Sequence, residues 1–299
     1  MLKESIFSRK SVLVRLRLYS RLLVFFTIAI CAWSFECQAQ GQLEPYRLLT
    51  VWAGTLPIIL SAPHGGRHPI PGLAVRRGIG VAQFTTERDA NTDELTEKIA
   101  AQLETKLSAK PFLVVAHFHR KYVDANRPRQ GALESVEAKP YYDAYHRVLR
   151  EAHDRISREW GRGLLLDIHG QSTQGETIYR GTSNGKTVMS LTRRFGTEAI
   201  TGPKSILGQL ERIGYKILPH AKQSYKEDRY IGGYIVNTYG SHHGTGVDAI
   251  QLELGMTLRA RAALERTASD LAEAIAVFAQ EFLPIKSSAV IEATSQPSP

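Results

Sequence analysis

Two histidines and one glutamate stand where a chain can do hydrolytic chemistry. His64 lies in Ser61-Ala62-Pro63-His64-Gly65-Gly66, His169 in Asp167-Ile168-His169-Gly170, and Glu253 in Gln251-Leu252-Glu253-Leu254. Imidazoles and carboxylates bind divalent metals, and a catalytic zinc takes three such protein ligands, keeps a fourth position for water, and needs a nearby carboxylate to move the proton. Both histidines sit beside glycine, and Asp167 is placed to orient the His169 ring. Residue type and spacing alone leave two readings open: a metal-binding pair, or two hydrogen-bonded loop histidines. Glu253 is likewise either a polar residue inside a buried alternating strand or an acid on the solvent face of an edge strand.

The elements that would position these residues alternate in type. Leu48 to Trp52 and Pro57 to Ala62 read as strands, the second apolar on both faces as a buried strand is. Leu95, Ile99, Ala100, Leu103 and Leu107 recur at helical spacing, predicting a helix over 91–107 with Asn91 or Thr92 as its cap. Phe112 to His117 is a strand, Tyr141 to Trp160 a helix, and Gly163 to Ile168 a buried strand ending at His169. Helical patterns follow over 187–195 and 205–213, strands over 215–218 and 249–254, and a long final helix over 258–282. Strands that alternate with helices place chemistry at the carboxyl ends of the strands, where the loops converge on one crevice. His64, His169 and Glu253 all fall at such ends.

Composition sets the surroundings. A chain of 299 residues with 43% hydrophobic and 22% charged residues is globular, with room for one large α/β domain. The first 39 residues differ: Lys3, Arg9, Lys10, Arg15, Arg17 and Arg21 precede an apolar run from Leu22 to Trp33. They read as a signal peptide or, uncleaved, as an N-terminal anchor, since a spanning helix needs about 20 apolar residues. The expected organisation is a leader over 1–39, a single hydrolase domain over 40–284 and a disordered Ser/Ala/Thr/Pro-rich tail over 285–299, with the mature protein exported to the periplasm or beyond. Both cysteines, Cys31 and Cys37, fall in the leader, so any metal in the body rests on His and carboxylate. Taking the leader's six Lys/Arg and two Asp/Glu from the chain's 38 and 29 reduces the net charge from +9 to +5. No basic cluster with interleaved aromatics follows, which excludes nucleic acid as a partner and leaves a small anionic substrate or acidic peptide. No obligate protein partner is evident.

Five segments in order resemble the N-formylglutamate amidohydrolase family: those around His64, His169 and Glu253, together with Glu87-Arg88-Asp89-Ala90-Asn91-Thr92-Asp93-Glu94-Leu95 and Val123-Asp124-Ala125-Asn126-Arg127-Pro128. The resemblance implies the fold of the related zinc carboxypeptidases and aspartoacylase-type deacylases, a three-layer α/β/α sandwich with a mixed central sheet. It implies one zinc ion held by His64, His169 and a carboxylate, either Asp89 or Asp93, with Asp89 favoured. Glu253 matches the general base, Arg120 the arginine that stabilises the oxyanion, and Asn126-Arg127 the pair that grips a substrate carboxylate.

The activity implied is cleavage of an amide in a carboxylate-bearing substrate: an N-formyl or N-acyl amino acid, a γ-glutamyl polymer or a wall peptide. A carboxypeptidase-type metallopeptidase and a catalytically silent anion-binding protein of the same fold are the alternatives. The Gly-rich stretch from Tyr230 to Gly246 reads as a loop over the crevice. Tyr234 is the tyrosine expected to meet substrate, with Tyr230 and Tyr239 competing, and His242-His243 either line a pocket or form a second metal site.

Overall fold

The computed structural model describes residues 44–220 and 226–285. The leader and residues 286–299 of the expected disordered tail lie outside the described residues, while Ile285, the first residue of that tail, packs partly buried against the core. The chain divides into Met1–Arg47, of which the described part, 44–47, lies in a 3-10 turn, and Leu48–Pro299.

The second unit is built on a seven-stranded sheet in the order β1-β3-β2-β4-β7-β5-β6. The strands are β1 (Leu49–Trp52), β2 (Ile58–Ala62), β3 (Phe112–Ala116), β4 (Gly163–Gln171), β5 (Thr177–Gly181), β6 (Lys216–Leu218) and β7 (Val247–Gly255). The central run β3-β2-β4-β7 is parallel, β1 pairs antiparallel with β3, and β5 pairs antiparallel with β7 and parallel with β6, so the sheet is mixed. Every residue of β2, β3, β5 and β7 is buried; β2 and β3 accordingly run almost wholly apolar, whereas β5 and β7 bury Arg180, Asp248, Gln251 and Glu253 among their apolar residues.

Strand pleating sorts the sheet into two faces. Leu60 of β2, Val115 of β3, Leu166 of β4 and Leu252 of β7 join a core with Leu95, Ile99 and Leu103 of α1 (Thr92–Leu107) and with Leu271, Ile275 and Phe278 of α8 (Leu264–Phe282). The alternate residues, Ser61, Asp167, His169, Gln251 and Glu253, therefore point the other way, toward the layer containing α3 (Lys139–Trp160) and α7 (Tyr234–Tyr239). The remaining helices, α2 (Arg129–Ala132), α4 (Met189–Phe195), α5 (Glu198–Thr201) and α6 (Ile206–Arg212), are short. The result is the expected three-layer α/β/α architecture.

Several local expectations need correction. The final helix begins at Leu264, because Arg259 turns back under the sheet, with Nε donating to Leu254 O (3.1 Å), NH1 to Ala90 O (2.6 Å) and NH2 to Gln171 O (3.2 Å), and holds residues 256–263 in turns. Asn91 occupies the N-cap of α1 in a left-handed conformation (φ 67°) without capping it, since its side-chain amide donates to Arg259 O (2.9 Å). Within the stretch expected to be a loop, Ile235, Val236 and Tyr239 are buried and fold residues 234–239 into α7, with Gly233 and Gly240 at its ends. Strand β5 was not anticipated, although Thr177-Ile178-Tyr179 is a β-favouring run between Gly175 and Gly181.

Candidate metal centre

His64 and His169 come from two neighbouring strands. His64 follows the end of β2, while His169 lies near the end of β4, directly across the ladder from Glu253 of β7. Between β2 and α1 the chain makes a long excursion without regular structure and returns at Asp89, whose backbone N–H donates to His64 O (3.0 Å). That return brings Asp89 beside both rings. One ligand atom from each of His64, Asp89 and His169 lies within 4.8 Å of the others, all three residues are buried, and the two ring centroids are 4.8 Å apart. Asp93, the competing acid, is not in the cluster. It sits in the first turn of α1 against Gly65, and burial raises its pKa.

The hydrogen bonds around the rings decide which nitrogens face the centre. His64 Nε2 lies 2.6 Å from Asp124 Oδ1, and His169 Nε2 lies 2.8 Å from Asp167 Oδ2. A carboxylate only accepts, so each Nε2 carries a hydrogen, and Nδ1 of each neutral ring is the nitrogen left to bind an ion. His64 Nδ1 is buried without a hydrogen-bond partner, 3.5 Å from Asp89 Oδ2, and His169 Nδ1 is 3.0 Å from the same oxygen. A positive centre belongs between those nitrogens and that oxygen: a proton on His169 Nδ1 when no ion is bound, or a metal ion in its place. Burial alone would lower the His169 pKa, yet Asp167 and Asp89 raise it well above the usual imidazole value. Asp89 is opposed by burial and still held well below the usual carboxylate range by His169 and His64. Two imidazoles and one carboxylate, each oriented from behind, thus fit a divalent metal ion with a free coordination position.

Asp124 was quoted within a motif, but sequence reasoning gave it no role. It is fully buried and accepts from Arg120 NH2 (2.7 Å), Arg127 Nε (3.2 Å) and the Asn126 backbone N–H (3.2 Å), besides His64. Arg76 NH2 stands 3.6 Å away. Burial disfavours its charge, but His64 and Arg120 outweigh that and keep its pKa far below normal. The available signal was its position two residues before Asn126, where one acid can hold the turn through a backbone N–H.

Glu253 is 7% exposed and its Oε1 accepts from Gln251 Nε2 (2.8 Å). It is not on an edge, since β7 lies between β4 and β5. Burial pushes its pKa up to about 7, with Asp89 adding to the rise and His169 opposing it. A carboxyl poised there both accepts and returns a proton near neutrality.

One cleft of about 850 Å³ contains the cluster, Glu253, Arg120, Asn126 and Arg127. Asn126 places its amide nitrogen 3.1 Å from His169 Nε2 while its Oδ1 accepts from Ile235 N (2.8 Å). Arg120 NH1 lies 3.3 Å from Glu87 O and 3.5 Å from Asp89 Oδ1. Arg127 departs from the simple clamp expected of it: besides Nε on Asp124, NH1 donates to Ala82 O (2.8 Å) and NH2 to Gln83 O. Tyr234 and Tyr230 line the cleft, whereas Tyr239 is buried with its hydroxyl 3.2 Å from His146 Nδ1. His242 and His243 are not in the metal cluster. Their rings pack at 3.9 Å, and His243 Nε2 is 2.9 Å from Asn237 O.

The sequence model of the N-formylglutamate amidohydrolase family matches residues 56–140, a stretch that includes His64, Asp89, Arg120, Asn126 and Arg127. Among solved structures, the chain is similar to N-formylglutamate amidohydrolase from Ralstonia eutropha JMP134, with a TM-score of 0.53 and 18% identity over 78% of this chain and 97% of that one. It is also similar to a gene product of Agrobacterium tumefaciens, with a TM-score of 0.48 and 15% identity over 82% and 96% of the two chains. No curated protein matches the chain. The chain thus resembles the N-formylglutamate amidohydrolase family in sequence over 56–140 and shares a fold with the Ralstonia enzyme over most of its length.

Proposed function

We propose that this protein is an exported, zinc-dependent amidohydrolase that cleaves the amide of a substrate bearing a carboxylate, such as an N-formyl or N-acyl amino acid. The observation that carries the reading is the pair of buried Nδ1 atoms turned toward one oxygen of Asp89, with Glu253 across the ladder from His169. His64, Asp89 and His169 would hold the ion, and two imidazoles with one carboxylate are a donor set that suits zinc. Zinc bound there would supply Lewis acidity that polarises a carbonyl and acidifies water.

The chain's own residues account for the rest. Glu253 takes the proton of the attacking water and, with a pKa near 7, passes it to the departing nitrogen, so that the amine leaves neutral. Arg120, buried beside Asp89, provides positive charge near the carbonyl oxygen as that oxygen gains negative charge. Asn126 is held by Asp124 and by the start of α7 and presents its amide to the cleft. Asp124 and Asp167 fix the rings from behind and do not touch substrate.

Export rests on the basic and apolar leader alone. A carboxypeptidase-type action shares this machinery and differs in what the cleft admits. The reading is tested by elemental analysis of the purified protein together with assays of N-formylglutamate, N-acetyl amino acids, γ-glutamyl peptides and wall peptides. About one zinc per chain and chelator-sensitive release of the amine are expected. Full activity in metal-free protein would rule the reading out.

A further inference from the structure

The cleft has a second arginine-bearing wall that no motif marked. Residues 228–233 run along its rim, and Asp228, Arg229 and Tyr230 line it together with His64, His169 and Glu253. This segment is pinned on both sides of Arg229. On one side Glu227 is buried (2% exposed): its Oε1 accepts from Arg180 Nε (2.8 Å) and Thr182 Oγ1 (2.5 Å), and its Oε2 from the backbone N–H groups of Thr182 (2.7 Å) and Asn184 (2.9 Å). On the other side the Tyr230 hydroxyl meets Thr173 Oγ1 (2.8 Å), its ring packs on Tyr179 (5.0 Å), and Ile231 O accepts from Ser183 N (2.6 Å). Gly233 N then donates to Gln251 Oε1 (2.7 Å). The backbone that presents Arg229 is therefore fixed to β5 and β7.

Arg229 itself is exposed, and among the described residues no hydrogen bond or ion pair engages its guanidinium, which stands 5.7 Å from the Tyr230 ring centroid. Its neighbours in the cleft are differently placed. Arg127 directs three of its five N–H groups at Asp124, Ala82 and Gln83, and Arg120 is held by Asp124 and Glu87. Among the lining arginines, Arg229 keeps its whole planar donor fork for a ligand, and a fork of that shape pairs bidentately with a carboxylate.

We propose that Arg229 is the specificity-determining residue that receives the substrate's acidic group, while Arg127 acts as a strut holding residues 82–83 against the cleft. This rests on the amide-hydrolase reading for its reaction but not for its ligand, which is a carboxylate remote from the scissile amide. Asp228, also at the rim, opposes that anion, so the two residues act in opposite directions on affinity.

The test uses the zinc-loaded full chain, with N-formylglutamate and its neutral side-chain amide, N-formylglutamine, as the substrate pair. Arg229→Gln is expected to reduce the preference for acid over amide about 10- to 100-fold, mainly through KM, Arg229→Lys to recover part of it, and Asp228→Asn to increase it. An unchanged preference in Arg229→Gln would overturn the proposal. Calorimetric titration with glutarate separates this from the reaction: wild type is expected to bind it at least about tenfold more tightly than Arg229→Gln. Equal affinity, or no binding by wild type, would overturn the Arg229 assignment, whereas glutarate binding without turnover of any amide would overturn the hydrolase reading instead.

Discussion

His169 and Glu253 face each other across the β4–β7 ladder on one face of the sheet. Asp167 and Gln251 occupy the same relation one pleat earlier, so a candidate ligand, its orienting acid, a candidate base and that base's hydrogen-bond donor form a two-by-two block on adjacent strands. The block is rigid because both strands are buried along nearly their whole length.

Glu253→Gln keeps the shape and the Gln251 neighbour but cannot take a proton. Turnover is expected to fall about 10²- to 10⁴-fold with metal content unchanged, read from steady-state rates beside elemental analysis. Loss of the metal along with activity would instead make Glu253 part of the binding site.

Asp124→Asn removes the acceptor behind His64 and the buried countercharge of Arg120 and Arg127. Metal affinity is expected to weaken about 10- to 100-fold, measured by competition with a chromophoric chelator. Stability should fall by about 3–5 kcal/mol in urea unfolding, because buried cations lose their partner.

Asp248 accepts from Ser241 Oγ (2.6 Å) and Leu191 N (3.0 Å), and burial pushes its pKa up to about 6. The folded protein holds this proton more tightly than the unfolded chain does, so the stabilisation is complete below about pH 4 and is lost as pH rises through about 6. Asp248→Asn, which cannot ionise, should gain stability relative to wild type between pH 4 and 7.5, by up to about 3 kcal/mol. Urea midpoints at the two pH values check it, and a constant gap would refute it.

Gly65→Ala places a Cβ about 2.3 Å from the Asp93 backbone nitrogen, at the start of the helix that His64 adjoins. Overpacking of this kind costs about 1–3 kcal/mol, and the displaced loop should weaken metal binding as well. Thermal denaturation with and without zinc separates the two effects: the stabilisation that zinc provides should be smaller in the variant.

Much of this site was legible in the sequence because strand parity is legible. Once 163–169 and 249–254 are strands, Asp167 and His169 share a face, as do Gln251 and Glu253, whatever the packing. Asp89 was harder to separate from Asp93, since both stand at the start of the same helix and only the return of the chain to His64 O places one of them between the rings. Arg229 was invisible for a different reason. Its importance comes from Glu227 pairing with Arg180 across 47 residues, and nothing local announces such a contact. The helix at 234–239 was missed because flanking glycines suggest a loop, while burial of Ile235 and Val236 against the sheet overrides that tendency.

The hydrogen bond from Asp89 N to His64 O closes the excursion between them at its neck. The polypeptide leaves the sheet and comes back to the same spot, so one backbone bond sets the two donors side by side although 24 residues lie between them. That span is also the centre's outer brace: Arg76 within it reaches Asp124 and the Arg120 carbonyl, and Ala82 and Gln83 anchor Arg127, so rewriting it would loosen the groups that steady both donors.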